Sequence, residues 1–318
     1  MAKTSIEGRY LIITGGVGGA KLALGLAHCL KPIETLFAVN TGDDFEHLGL
    51  SISPDLDTLV YTLADMNNKE VGWGRVDESW QFMDALEQLG GPTWFKLGDR
   101  DLALHTTRSR MLAEGATLSE ATSHICTAFG IPHRVVPMSD DPVRTTVHTD
   151  DGELSFQHYF VRDRCKPVVT GFEFKGIEAA VVQPEILACL ENSRGVIICP
   201  SNPFVSVDPI LNLPGMRNAL SQSPAPVVAV SPIVGGTAIK GPTAKMMREL
   251  NIPVAAEQVA DHYRGVIDGF ILDEQDVSLH ETLDMPTYVA QTVMVTLQDR
   301  VDLGRTVLEF INSLDSKT

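Results

Sequence analysis

The 318-residue chain is poor in cysteine, and its five cysteines stand apart at Cys29, Cys126, Cys165, Cys189 and Cys199. No Cys-x-x-Cys pair occurs, which argues against a metal cluster or a disulfide framework and for reduced thiols in the cytosol. Small core residues are the simplest reading of such cysteines. The histidines include no His-Glu-x-x-His or similar zinc spacing, and there is no Gly-x-Ser-x-Gly elbow of a serine hydrolase. No apolar run approaches the roughly 20 residues that a membrane span needs. The stretch from Met1 to Arg9 is short and polar, and the apolar run after it stops at a glycine cluster. It reads as a buried strand rather than a signal peptide, and the expected location is the cytoplasm.

Positive charge is also scarce. Twenty-five Lys and Arg stand against 41 Asp and Glu, a formal net charge of −16. Such a surface repels nucleic acid and anionic membrane, so neither is an expected partner. A phosphorylated ligand would need local help against this field. Backbone amides, a few basic residues and a metal ion are the available means.

What is present has α/β periodicity. Tyr10 to Thr14 is an apolar run of strand length, glycines follow, and Leu22, Leu26 and Cys29 then recur at helical spacing. Thr35 to Val39 reads as a second buried strand, giving a βαβ opening and a mostly parallel, Rossmann-like sheet. Gly195 to Cys199 and Pro226 to Val230 are further runs of this kind. In open α/β sheets ligands bind beyond the carboxyl ends of the strands, so these strand ends point to one crevice. Asp77 to Leu89 and Arg100 to Phe129 look helical, and Thr145 to Phe156 looks like a hairpin turning at Asp150-Asp151-Gly152. The expectation is one domain over 1–318, with a helical and β-hairpin insertion over about 60–190 and a frayed tail from Asn312 to Thr318.

Seven segments carry chemistry. Thr14-Gly15-Gly16-Val17-Gly18-Gly19-Ala20-Lys21 joins a strand to a helix, where backbone N–H groups and the helix dipole can face an anion. Its spacing is neither the dinucleotide fingerprint nor a Walker loop; the plain alternative is a tight turn that needs glycine for packing. Asn40-Thr41-Gly42-Asp43-Asp44 closes the second strand, and Ser53-Pro54-Asp55-Leu56-Asp57-Thr58 opens a helix. Carboxylates so placed can converge on a hard cation such as magnesium, which completes its shell with phosphate and water. Aspartates at turns and helix caps are the plain alternative. Lys96-Leu97-Gly98-Asp99-Arg100-Asp101 sets cations beside carboxylates ahead of a helix. Met138-Ser139-Asp140-Asp141-Pro142, Cys199-Pro200-Ser201-Asn202-Pro203 and Ser231-Pro232-Ile233-Val234-Gly235-Gly236 complete the set. Trp73, Trp80 and Trp94 fall in one stretch; core packing is their default, and a wall for a flat ring is the alternative.

In this order the seven segments resemble the 2-phospho-L-lactate transferase (CofD-like) family, over a span from Gly15 to about Asp273. The resemblance implies a reaction. A phosphorylated three-carbon acid passes from its guanosine diphosphate ester to the deazaflavin FO (7,8-didemethyl-8-hydroxy-5-deazariboflavin) in coenzyme F-420 synthesis. The terminal ribityl hydroxyl of FO attacks the phosphorus nearer the acid, and GMP leaves. In such phosphoryl-type transfer, positioning and charge neutralisation dominate. By the same resemblance Asp43 and Asp55 match metal-binding aspartates for Mg2+, and Asp57 matches an FO-contacting aspartate that could also orient the hydroxyl. Lys96 falls in a second FO-contacting segment. Gly15, Gly16, Gly18, Gly19 and Lys21 would cradle the diphosphate, and Ser201, Asn202 and Ser231 would hold the guanosine. A homodimer is expected.

Family members resemble one another while using 2-phospho-L-lactate, phosphoenolpyruvate or 3-phosphoglycerate donors. The segment Gly72 to Arg75, continuing through Asp77 to Trp80, is similar to the phosphoenolpyruvate type. A related family of non-catalytic UDP-sugar-binding regulators shares the glycine loop and the Asn40–Asp44 type of segment. Leu97–Asp101 together with Met138–Pro142 favours the transferase. A dinucleotide-dependent dehydrogenase fits poorly, because the fingerprint and its acidic residue are missing.

Overall fold

Seven short apolar runs pair side by side in one parallel sheet. They are β1 (Tyr10–Thr14), β2 (Thr35–Val39), β3 (Arg134–Pro137), β4 (Gly195–Ile198), β5 (Val227–Val230), β6 (Gly269–Asp273) and β7 (Thr287–Ala290). The sheet order is 3-2-1-4-5-6-7, and every pairing is parallel. The computed structural model describes residues 8–69, 74–239 and 241–314. Among them no helix is long and apolar enough to cross a membrane.

The central strands are apolar throughout because both faces of the sheet are covered. Leu11 and Ile13 of β1 enter one core with Leu36, Val196 and Val227. Tyr10 and Ile12 enter the opposite core with Phe37, Ile197 and Val228. On the second side α1 (Gly16–Cys29) lies against the C-terminal helix Leu297–Ser313. The contact is close: a Cβ on Gly25 would stand 1.9 Å from the carbonyl oxygen of Arg300. Only glycine permits that approach, so Gly25 is a packing residue.

The chain winds outward from β1 in one direction to β3 and in the other to β7, so the order reverses between β1 and β4. That reversal opens a crevice at the carboxyl ends of these two strands, the usual ligand site of doubly wound sheets. Two helices flank it, α2 (Pro54–Leu63) and α3 (Asp99–Ala113).

The span read from the sequence as an insertion over 60–190 is not continuous, because Arg134–Pro137 within it is the edge strand β3. Four residues ending in proline give too short a run to stand out from its surroundings. Helices Gln81–Gln88, α3 and Leu118–Ala128 precede β3. After it comes a three-stranded antiparallel sheet of Arg144–Thr149, Gly152–Ser155 and Val169–Lys175. The first two of its strands form the expected hairpin; the third was not read. Gly72 and Trp73 lie outside the described residues, as do the ends Met1–Glu7 and Asp315–Thr318.

Candidate functional site

At the switch point a cleft of about 520 Å³ gathers the strand ends. Gly15, Gly16, Gly18, Lys21, Asp43, Asp55, Asp57, Lys96, Ser201, Asn202 and Ser231 all line it. Residues from six of the seven sequence segments therefore meet in one place; only Met138–Pro142 contributes none. Gly19 does not line it. A Cβ there would meet Thr14 Oγ1 at 2.3 Å and Ser201 Oγ at 2.4 Å, so this glycine serves close packing beneath the loop.

The glycine loop is the first turn of α1 itself. Gly15 is the N-cap, extended at φ −158°, and offers no side chain to the free N–H groups of the helix start. Gly16 sits at φ +63°, where a side chain is strained. Ser201 braces the loop: its hydroxyl donates to the Gly15 carbonyl at 2.7 Å and accepts from the Gly15 N–H at 3.3 Å. No acidic residue occupies the first helical turn, so N–H groups and the helix dipole present a positive end to the cleft.

The expected guanosine contacts are engaged within the protein. Ser231 Oγ donates to the Ile233 carbonyl and accepts from its N–H. Asn202 Oδ1 accepts from the Phe204 N–H, and its Nδ2 lies 3.3 Å from Met246 Sδ. These three polar side chains shape the loop walls. Lys21 Nζ donates to the Met294 carbonyl at 2.7 Å across the cleft.

Opposite the loop lie Asp43, Asp44, Asp55 and Asp57, each between 5% and 6% exposed. Asp55 accepts from Asn40 Nδ2 at 2.9 Å, and the nearby Gly16 backbone N–H also favours its charged form. Burial nevertheless pushes its carboxyl up to about 6. Burial, and then the charge of Asp55, hold Asp43 well above the ordinary carboxylate value, although Asn40 counters this. Burial pushes Asp44 up to about 7, against the pull of Arg144 and a 2.7 Å bond from Ser53 Oγ. Asp43 Oδ1 and Asp44 Oδ1 are buried with no hydrogen-bond partner. Carboxylates with uncommitted oxygens, crowded so that their charges repel, suit a divalent cation; Asp43 and Asp55 are the pair placed to hold one. Elsewhere His148, Glu153 and Glu173 also converge. They lie on an exposed face, and Lys175 already sits among them at 3.0 and 3.9 Å.

Asp57 differs from the other three. It is not the cap of α2, since Ser53 holds that position. It pairs instead with Arg108 of α3, which the sequence reading passed over. His105, Asp101 and Tyr61, all lining the cleft, were also missed as site residues. Their signal is the spacing Asp101, His105, Arg108, which sets three ionisable groups on one helix face. Asn40 was read as part of a turn, and its role in holding Asp55 needed the fold.

One side of the cleft is more apolar. Phe95, Phe156, Phe160 and Val161 line it near Lys96, whose ammonium lies 5.9 Å from the Trp80 ring centre. Behind them Trp94 packs edge-on to His47, Phe95 and His158 at 5.1, 5.6 and 4.8 Å. Trp94 is thus part of an aromatic cluster rather than a wall facing the ligand directly.

Comparison with known proteins gives this site a family. A 2-phospho-L-lactate transferase from Methanosarcina mazei is 36% identical over 302 residues, covering 94% of this chain and 99% of that protein. A phosphoenolpyruvate transferase from Kitasatospora aureofaciens is 36% identical over 310 residues, covering 94% and 97%. Among solved structures, a member of the UPF0052 family from Bacillus halodurans superposes with a TM-score of 0.63 at 15% identity, covering 95% of this chain and 99% of that one. At that identity the likeness is one of fold. The profile of the family described as 2-phospho-L-lactate transferase CofD matches residues 11–310. The chain belongs to that family and is a transferase enzyme.

Proposed function

We propose that the protein transfers a phosphorylated three-carbon acid, 2-phospho-L-lactate, phosphoenolpyruvate or 3-phosphoglycerate, from its GDP-linked donor to the deazaflavin FO. GMP is released, and the product belongs to coenzyme F-420 synthesis in the cytoplasm. The observation that carries this reading is the meeting, in one cleft, of a capless helix start with two buried, mutually repelling carboxylates. A diphosphate ester suits that arrangement. Its phosphates match the N–H groups of Val17 and Gly18 in the first helical turn, and a magnesium ion matches Asp43 and Asp55. Such an ion would neutralise charge on the transferring phosphorus and the leaving GMP.

The remaining residues act by placement. Asp57 accepts a hydrogen bond from the ribityl hydroxyl of FO and aims its oxygen at the phosphorus nearer the acid. Phe95, Phe156 and Phe160 receive the flat ring, with Lys96 at its edge. The hydroxyl oxygen forms the new bond to phosphorus as the bond to the GMP oxygen breaks, and the hydroxyl proton is released to solvent.

Mass spectrometry of reactions containing FO, magnesium and each of the three GDP-linked acids tests the reading. The expected result is one FO adduct, with GMP released in equal amount. Thermal shifts with GDP, FO and UDP-N-acetylglucosamine form the second arm, because a specific ligand stabilises by mass action. A shift with the UDP-sugar alone, and no adduct from any donor, would overturn the transferase reading in favour of a sugar-nucleotide regulator.

A further inference from the structure

At one wall of the cleft two helices meet through charge. Helix α2 brings Asp57 and, one turn later, Tyr61; helix α3 brings Asp101, His105 and Arg108. Arg108 Nη1 donates to Asp57 Oδ2 at 3.1 Å, and Nη2 donates to Asp57 Oδ1. His105 Nδ1 lies 3.6 Å from Asp57 Oδ2, and His105 Nε2 lies 3.2 Å from Asp101 Oδ2. The Tyr61 hydroxyl donates to Asp101 Oδ1. Asp57, Tyr61, Asp101 and His105 line the cleft, whereas Arg108, 2% exposed, stands behind Asp57.

An ion pair is a poor means of joining two helices, since well-packed apolar residues of similar volume often hold as well or better. Behind a carboxylate in a cleft wall it has another use. The guanidinium fork fixes the plane of the carboxylate and matches its charge. Asp43 and Asp55, which face the same cleft, make no ion pair among the described residues, so no protein cation matches their charge. Asp57 has its charge matched from behind, so it is left to accept a hydrogen bond from a neutral hydroxyl.

We propose that Arg108 is the positioning residue for Asp57, holding its carboxylate in the orientation that receives the acceptor hydroxyl. His105, braced by Asp101 and Tyr61, closes the remaining side of the carboxylate. The inference rests on the reading of Asp57 as the residue that contacts the acceptor.

Equilibrium dialysis with FO and, separately, with GDP tests it on the wild type, Arg108→Met, Arg108→Lys, Asp57→Asn and the double variant Asp57→Asn/Arg108→Met. The expected result is FO binding at least about tenfold weaker in Arg108→Met, with GDP binding changed by less than about twofold. Arg108→Lys should recover part of the loss, because it restores the charge without the fork. In the Asp57→Asn background, Arg108→Met should weaken FO no further. That double variant also removes the stranded charge, so the comparison survives if Arg108→Met alone fails to fold. Wild type that binds FO while Arg108→Met binds it equally well overturns this proposal alone. So does an equal weakening of FO and GDP, or a further loss of FO binding in the double variant. Wild type that binds no FO overturns the functional reading and this proposal with it.

Discussion

Asn40 joins three elements through one amide: Nδ2 donates to Asp55 Oδ2 at 2.9 Å and to the Val205 carbonyl at 3.2 Å, while Oδ1 accepts from the Gly42 N–H at 2.8 Å. The end of β2, the start of α2 and the helical turn Pro203–Val207 after β4 are thereby locked around the proposed metal site. Asn40→Ala should lower the unfolding free energy by about 1–3 kcal/mol, because it leaves buried polar groups unpaired. It should also raise the magnesium concentration needed for half-maximal transfer. Urea unfolding with and without magnesium, beside a magnesium titration of turnover, measures both. A loss of stability with an unchanged magnesium requirement would reduce Asn40 to a structural part.

Asp43→Asn and Asp55→Asn should each lower turnover by about 100-fold or more, a size usual for lost charge stabilisation in a transition state. The fold should persist. Burial raises both carboxyls, so each charge opposes folding at neutral pH in the absence of a cation, and a neutral amide relieves that opposition. Melting curves in chelator should show the variants at least as stable as wild type. Wild-type turnover at limiting magnesium in both variants would refute the metal assignment.

The glycines of the loop should separate by mechanism. At Gly16 a Cβ meets nothing closer than 3.8 Å, so Gly16→Ala carries mainly the left-handed backbone penalty, about 1–2 kcal/mol. At Gly18 a Cβ would stand 2.5 Å from the Pro200 carbonyl oxygen, and helix and loop must move apart. Gly18→Ala should therefore raise the donor KM far more than Gly16→Ala does, with the FO KM little changed in both. Steady-state kinetics in both substrates decides the matter. Equal effects of the two variants on the donor KM would show that the close approach at Gly18 is not part of the donor site.

The aromatic cluster predicts a pH dependence. Burial, reinforced by His158, holds His47 below its ordinary value of 6.5, and burial then Arg162 do the same for His158. The neutral rings are thus the folded forms, while an unfolded histidine takes up a proton near 6.5. Their contribution to stability is present above that value and is lost as pH falls through the lower folded values. The raised carboxyls of Asp43, Asp44 and Asp55 gain stability as they protonate and so act in the opposite sense over the same window. The histidine contribution is therefore read from the difference in unfolding free energy between wild type and His47→Phe, which keeps an aromatic ring against Trp94: from pH about 7.5 down to about 5, wild type should lose stability relative to the variant. An unchanged acid limb in that variant would remove His47 from the account.

The sequence carried the fold class and most residues of the candidate cleft for physical reasons that act locally. A strand buried on both faces must be apolar throughout, and β1, β2, β4 and β5 were legible for that reason. Glycines where backbone must approach backbone, and aspartates at a strand end or helix start, are likewise local signals, so Gly15, Asp43, Asp55 and Asp57 could be singled out. Partnership is not local. Asp57 and Arg108 stand on different helices that only the fold brings together, and no periodicity connects them. The hydroxyls of Ser201 and Ser231 looked available as isolated turn residues, yet the structure commits both to neighbouring backbone. Strand β3, four residues long within helical and hairpin sequence, became a strand because the edge of β2 offered its unpaired N–H and C=O groups. Local chemistry named the residues of the cleft; tertiary structure alone decided which of its buried charges are matched from within and which remain open to a ligand, because in a buried site that balance depends on groups distant in sequence and adjacent in space.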